Sequence, residues 1–251
     1  MPDVLERRIL GAFRMVSAVT ATSIESDFAV DAGALDVWRN RSGIYVVRDA
    51  PGMHALTLQS EPDMASIPAQ QQFELKVSDR SQRYLPRRFK LTLPRKIAPP
   101  SDPESVMKAV PVALYPGGAA PVALTWAMLR VSVVKSGAAQ RVGLPWSIVQ
   151  VKQKSDGNVL KTGMSDARGE ALIAVVGLPV RAAGGNGGAL MTSDVDVEVT
   201  AFFDPENLNQ PADFVPDPDE LLAKLATLKS NTQGLKIASG RTSTVTMAIA
   251  V

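Results

Sequence analysis

The sequence predicts an all-β protein built of two β-sandwich domains, with one short helix near the C-terminus. Three observations predict it. Short apolar or β-branched runs recur along the 251 residues, separated by Gly, Pro, Asn and Asp, and such runs bounded by turn residues read as strands. Their spacing of roughly ten residues suits sandwiches, and no strand–helix–strand alternation calls for a parallel α/β sheet. The series is broken once, at Ile97-Ala98-Pro99-Pro100-Ser101-Asp102-Pro103. Proline cannot donate to a sheet ladder and restricts the residue before it. This break marks 98–105 as a linker between an N-terminal sandwich, 1–97, and a C-terminal one, 106–251.

In the first domain, strands are expected at Arg8–Ala18, Phe28–Asp31, Leu35–Arg39, Ile44–Val47, Met53–Gln59, Gln72–Ser78 and Arg88–Leu93. Asn40-Arg41-Ser42-Gly43 and Asp49-Ala50-Pro51-Gly52 are turns between them. In the second, strands are expected at Val110–Tyr115, Ala127–Lys135, Trp146–Lys152, Val159–Met164, Ala171–Val176, Asp194–Phe203, Leu235–Ala238 and Thr242–Val251. Asp156-Gly157-Asn158 is a hairpin turn, and Gly184–Gly188 is a loop with too little side chain to pack. Thr242–Val251 has no charge after Arg241. It fits either the last strand of its own core or an arm added to a neighbour. The helix is Pro218–Leu228: Asp217 caps it, Pro218 takes its first position and Asp219 and Glu220 meet the positive end of the dipole. Leu221, Leu222, Leu225 and Leu228 form its apolar stripe. Trp38, Trp126 and Trp146 lie in or beside strand patterns and read as core.

Composition removes many chemistries. The chain has no cysteine and one histidine. Disulfides, thiol catalysis, Cys-based zinc sites and two-His metal motifs are therefore excluded. No apolar run approaches the ~20 residues of a membrane-spanning helix; the longest, Ala171–Val180, has ten. The start, through Phe13, lacks the basic end, apolar centre and cleavage site of a secretory signal. A cytoplasmic protein with no membrane span is expected.

His54 opens an expected strand, and no Gly-x-Ser-x-Gly elbow supplies a serine for it. It reads as a half-buried strand residue. The acids from Asp204 onward miss the spacing and central glycine of an EF-hand loop. An acidic pair for glycoside hydrolysis has no positive signal behind it. Gly117-Gly118 and Gly184–Gly188 lack the Gly-Lys-Ser/Thr ending of a phosphate loop. No catalytic residue, metal or cofactor is expected.

Charge is uneven. Net charge is only +2, yet Lys76–Lys96 holds eight Lys/Arg against Asp79, and Asp204–Glu220 holds six acids and no base. The basic stretch admits three readings. It forms an edge strand with Leu85, Phe89, Leu91 and Leu93 inward, or a protein contact, or a groove for single-stranded nucleic acid. Aromatic residues are 5% of the chain, too few for the stacking platforms of the last, and no nucleic-acid partner is expected. The candidate contact residues are Arg80, Arg83, Tyr84, Arg87, Arg88 and Arg95, with Asp213 and Asp217 on the acidic side. A basic patch meeting an acidic patch on the next copy suits a symmetric ring.

Two resemblances add to this reading. Gly143-Leu144-Pro145-Trp146-Ser147-Ile148-Val149, then Gly163-Met164-Ser165-Asp166-Ala167-Arg168-Gly169-Glu170-Ala171 and Gly177-Leu178-Pro179, resemble the carboxypeptidase-regulatory-like, or transthyretin-like, sandwich over residues 128–200. Trp146 and Ser147 depart slightly from that pattern, and Ser165 replaces its usual threonine. The resemblance implies the fold and says nothing of enzymatic activity, such modules being usually non-catalytic; by their own chemistry Asp166 and Gly169 shape a tight turn into the next core strand. The fold class is then all-β, with two Ig-like or transthyretin-like sandwiches. The stretches around Trp38–Val46, Phe73–Asp79 and Tyr84–Phe89, with Asp204-Pro205, Pro216–Asp219 and Leu235–Thr242, resemble proteins encoded beside phage-tail-like contractile injection systems. That resemblance implies a non-enzymatic structural subunit at the cap or terminator end of the particle. It would contact sheath, tube or terminator proteins and assemble as a homo-oligomeric ring. A carbohydrate- or surface-binding module is the alternative.

Overall fold

The computed structural model describes residues 8–58, 68–182 and 190–251. The chain is all-β and clusters into two compact units. The first falls within Met1–Ser17, Ala21–Arg80 and Arg88–Leu114, the second within Ala18–Thr20, Ser81–Arg87 and Tyr115–Val251.

The first unit contains β1 (Gly11–Ser17), β2 (Phe28–Asp31), β3 (Asp36–Arg39), β4 (Ile44–Asp49), the short helix α1 (His54–Leu58), β5 (Gln71–Asp79), β6 (Arg87–Leu93) and β7 (Val110–Leu114). Its sheets have the orders β3-β4-β1-β7 and β2-β5-β6. Alternation of side chains along each strand sends one set inward. Leu75 and Val77 from β5, and Phe89, Leu91 and Leu93 from β6, are buried. They face Phe13 and Met15 of β1 and Tyr45 and Val47 of β4, also buried. Phe13 joins the sheets: its ring stacks on Tyr45 at 5.1 Å and meets Phe89 edge-on at 5.3 Å. The first and last strands of the unit, β1 and β7, pair in parallel.

Two expectations change here. Met53–Gln59 is not a strand: His54–Leu58 is helical, and Gln59 lies outside the described residues. Met53 and Thr57 are buried and Leu56 half-buried, a helical spacing rather than an alternation. The bonds Met53 N to Ala50 O and Leu56 N to Met53 O start the turn, and Thr57 Oγ1 donates to His54 O. The Pro-rich run 98–105 lies inside the first unit, whose contacts extend to Leu114. Lys96 N donates to Glu104 O, Val106 N to Lys96 O, and Ser105 Oγ to Ala98 O. Ser105 is fully buried. Prolines here shape a hydrogen-bonded loop, because side-chain and backbone donors around them satisfy the carbonyls that a ladder would have used.

The second unit contains β8 (Ala127–Lys135), β9 (Ile148–Gln153), β10 (Val159–Met164), β11 (Glu170–Val175), β12 (Val180–Ala182), β13 (Leu190–Thr192), β14 (Val195–Phe203), α2 (Pro218–Ala223), β15 (Lys229–Ile237) and β16 (Thr242–Ile249). Sheets of order β11-β8-β16 and β10-β9-β14-β15 face each other, and β12 pairs with β13 apart from them. One cluster fills the space between the two sheets. Leu129, Val131, Ile173, Met247 and Ile249 come from one, and Val149, Val151, Val197, Val199 and Phe203 from the other. The C-terminal run is the last strand of this core: β16 runs parallel to β8 from Thr242↔Met128 to Ile249↔Lys135.

The expected Trp146 start of β9 moves to Ile148, because Trp146 takes φ +58° and Ser147 Oγ bonds back to Leu144 O at 3.0 Å. β15 begins six residues before the expected Leu235. Its first half, Lys-Ser-Asn-Thr-Gln-Gly, has no apolar alternation, yet it pairs with β14 from Lys229↔Phe203 onward. Asn231 Nδ2 and Gln233 Nε2 donate to Ala248 O and Thr246 O of β16, at 2.6 and 2.9 Å. These polar side chains bind the backbone of an edge strand in the opposite sheet. The helix is α-helical only to Ala223, followed by a 3-10 turn at Leu225–Thr227. The Gly184–Gly188 loop lies outside the described residues.

The Gly143 and Asp166–Gly169 segments cross in close backbone contact. A Cβ on Gly143 would lie 1.9 Å from Arg168 O, and one on Gly169 would lie 2.5 Å from Val133 O. Asp166 Oδ1 accepts from Arg168 N and Glu170 N at 2.8 and 3.0 Å, closing the turn that feeds β11. Ser165 Oγ accepts from Ser147 N at 2.8 Å, fully buried.

Candidate functional site

The basic stretch is largely used within the chain. In the first unit Arg80 pairs with Asp27 at 3.1 Å and Arg88 with Glu74 at 3.2 Å. Arg95 donates from Nε to Ser105 O at 3.2 Å and from its guanidinium to Pro103 O. In the second unit Arg83 Nε donates to Ser81 Oγ at 2.8 Å. Tyr84 bridges to Pro116 through the backbone. Asp213 is exposed.

Arg87 and Asp217, both candidates, come together. Asp217 is the N-cap of α2, its Oδ1 accepting from Asp219 N at 3.0 Å, with Pro218 at the first position. Arg87 makes a close ion pair with Asp219, and its guanidinium lies 3.8 Å from Asp217 Oδ1. The side chains of Arg87 and Asp217 are each 7% exposed. Burial pushes the Asp217 carboxyl above its usual range; the cap bond from Asp219 N and the Arg87 charge oppose this, while the Asp219 and Glu220 charges add to it. Burial also raises Tyr115, with Arg87 lowering and Asp219 raising it. Beneath, Leu85, Tyr115, Trp146, Ile148, Val215 and Leu221 form one apolar cluster. The arrangement ties residues 81–87 to the helix entrance. At the other end of α2, Lys224 pairs with Asp204, which caps the 3-10 turn Pro205–Asn209. Basic and acidic stretches thus meet partly within one copy.

His54 is corrected to an exposed residue at the start of α1, with Nδ1 2.6 Å from Asp49 Oδ2. Among the described residues, no group of three or more His, Cys, Asp or Glu is placed to hold a metal ion. No helix among them is long and apolar enough to cross a membrane.

Sequence reasoning missed the surfaces that remain open. Trp38 is 51% exposed on the edge strand β3, not core, while Trp146 is buried and Trp126 half-buried. Leu124 is 93% exposed on the loop before β8. In the first unit, Ile9, Leu56, Pro94, Ile97 and Val106 line a largely apolar hollow of about 670 Å³. A second, polar hollow of about 660 Å³ lies beside the turn between β3 and β4, with Arg14, Arg39 and Arg41 on its wall. The signals were present: Arg14 interrupts an apolar run, and Arg39 and Arg41 flank a turn. Neither pattern by itself distinguishes a solvated arginine from a site. Comparison of the chain with protein-family models, with curated proteins and with solved structures gives no match.

Proposed function

We propose that the chain is a non-enzymatic structural subunit that works through protein–protein contacts. On the resemblance of its motifs, it is a cytoplasmically assembled, cap- or terminator-end part of a phage-tail-like contractile injection particle. The observation that carries the reading is the exposure of large apolar side chains at strand edges and loops. Trp38 stands 51% exposed in one unit and Leu124 93% exposed in the other. Aromatic side chains anchor interfaces, and Trp38 stands on β3, an edge strand whose free side can receive a neighbour's strand. The paired arginines shift the expected contact from the Arg80–Arg95 stretch to these apolar positions.

The test is mass measurement of the purified chain by light scattering, alone and with tube and sheath proteins. The wild type is expected to form rings or to bind the particle proteins, and Trp38→Ser with Leu124→Ser to remain monomeric with an unchanged circular dichroism spectrum. A wild type that stays monomeric and binds none of these proteins overturns the proposal. One observation favours the alternative of a carbohydrate-binding module: exposed aromatics serve as sugar platforms, and Trp38 is exposed. Glycan binding that is lost in Trp38→Ala, with particle binding intact, selects that reading.

A further inference from the structure

Strand β1 changes neighbour partway along. Its pairing with β4 runs from Gly11↔Val47 and ends at Arg14↔Ile44. Beyond that point it bonds to residues 22–24 instead. Ile24 N donates to Met15 O at 3.1 Å, Ser17 N donates to Thr22 O at 2.8 Å, and Val16 pairs with Ser23. Two neighbours sharing one side of a strand leave a gap where one stops and the other starts. That gap is the polar hollow of about 660 Å³.

Three exposed arginines line it: Arg14, Arg39 and Arg41. Unlike the arginines of the 80–95 stretch, none of the three guanidinium groups makes an ion pair or hydrogen bond among the described residues. Each stands on backbone that is fixed by pairing or by a closed turn. Arg14 is the last ladder position of β1 with β4. The Arg39 guanidinium lies over the Tyr45 ring, 5.7 Å from its centroid, and that ring is itself stacked on Phe13. Arg41 sits in a turn closed by Ile44 N donating to Asn40 Oδ1 at 2.9 Å. Of the carboxylates on the wall, Asp27 is paired with Arg80, leaving Glu25. Positive charge is therefore in excess. Ile24 and Ile44, both half-buried, add apolar surface to the lining.

We propose that this hollow docks an acidic segment of a partner protein. The guanidinium forks donate to its carboxylates, and its apolar side chains rest on Ile24 and Ile44. Planar forks match carboxylates. A hollow of this size takes a ligand of several groups rather than one small ion. Glu25 disfavours a dianion such as phosphate against the singly charged carboxylates of a peptide. The inference rests on the reading of the chain as a protein-binding subunit.

The experiment is fluorescence anisotropy with the full chain and a fluorescein-labelled octapeptide of alternating glutamate and leucine. The same peptide with lysine for glutamate and inorganic phosphate as competitor are the controls. The wild type is expected to bind the acidic peptide, with affinity falling as salt rises, and not the lysine peptide. Arg14→Gln with Arg41→Gln should weaken binding by about tenfold or more. Arg14→Lys with Arg41→Lys, which keeps charge but not the fork, should fall between. Arg241→Gln, in the other unit, should bind as the wild type does. Absence of acidic-peptide binding, equal weakening in Arg241→Gln, or displacement by phosphate as effectively as by unlabelled peptide overturns the inference. If the hollow fails while the chain still assembles in the mass measurement, the proposed function stands without it.

Discussion

Removing the Arg87 guanidinium tests whether the candidate contact residues serve an interface or the fold. In Arg87→Met the stem volume is roughly kept and the charge is lost. Asp217, 7% exposed, then loses the cation 3.8 Å from its Oδ1. Stranding a buried carboxylate by deleting its partner costs about 3 kcal/mol or more at neutral pH. The Asp219 pair adds little, because that carboxylate is 69% exposed. The cost should depend on pH with a definite sign. Asp217 is pushed above its usual range, chiefly by burial, and Arg87 opposes the push. For a carboxyl raised in the folded state, the stabilising contribution of its protonated form is fully present below the unfolded value, about 3.9. It is lost as pH rises through the raised folded value. Without Arg87 the folded value rises further. The destabilisation should therefore be about 1 kcal/mol near pH 4 and reach its full size by pH 7.5. Asp217→Asn keeps the Oδ1 acceptor for the cap bond and removes the charge, so the double variant should recover to within about 1 kcal/mol of the wild type. Urea unfolding followed by tryptophan fluorescence measures this, with Trp146 in the same cluster. Equal destabilisation at both pH values, without recovery in the double variant, would refute an electrostatic staple. Wild-type stability in Arg87→Met would return the residue to the list of interface candidates.

Other perturbations follow from the same structure. Gly143→Ala forces apart two backbones whose approach leaves 1.9 Å for the new Cβ, and should lower stability by at least about 3 kcal/mol; an unchanged urea midpoint would sink that account. Asn231→Ala with Gln233→Ala removes both amide bonds to the β16 carbonyls and should cost about 1 kcal/mol, or roughly 2–4 °C in melting temperature. His54→Ala disturbs only an exposed contact with Asp49 and should change stability by less than about 0.5 kcal/mol, as read by thermal melting.

Much of the fold was legible because strands and turns are local statements. Phe28–Asp31, Ala127–Lys135 and Val159–Met164 are strands with the expected bounds. Asp217 and Pro218 begin the helix as their chemistry requires. Met53–Gln59 misled because its apolar residues fit either period over so short a run. The first half of β15 was hidden because its strand character comes from bonding to β14, not from its own side chains. The candidate site was less legible still. Charge content shows that Arg87 and Asp217 exist, not that they share a buried pair across more than a hundred residues.

By itself, the sequence determined the strand-rich class, the turns, the capped helix and the chemistries that missing cysteine removes. Each follows from the conformational preference or reactivity of residues close together in the chain. Only the tertiary structure decided which arginines are neutralised and which stand open, that Trp38 faces out, and that the Pro-rich run belongs inside the first unit. It also decided that the first and last strands of each unit pair in parallel. Those outcomes depend on long-range packing, where a residue's environment is set by neighbours distant in sequence. Hence Arg14, Arg39 and Arg41 look like ordinary solvated arginines in the sequence, and only the seam beside β1 gathers them around one hollow.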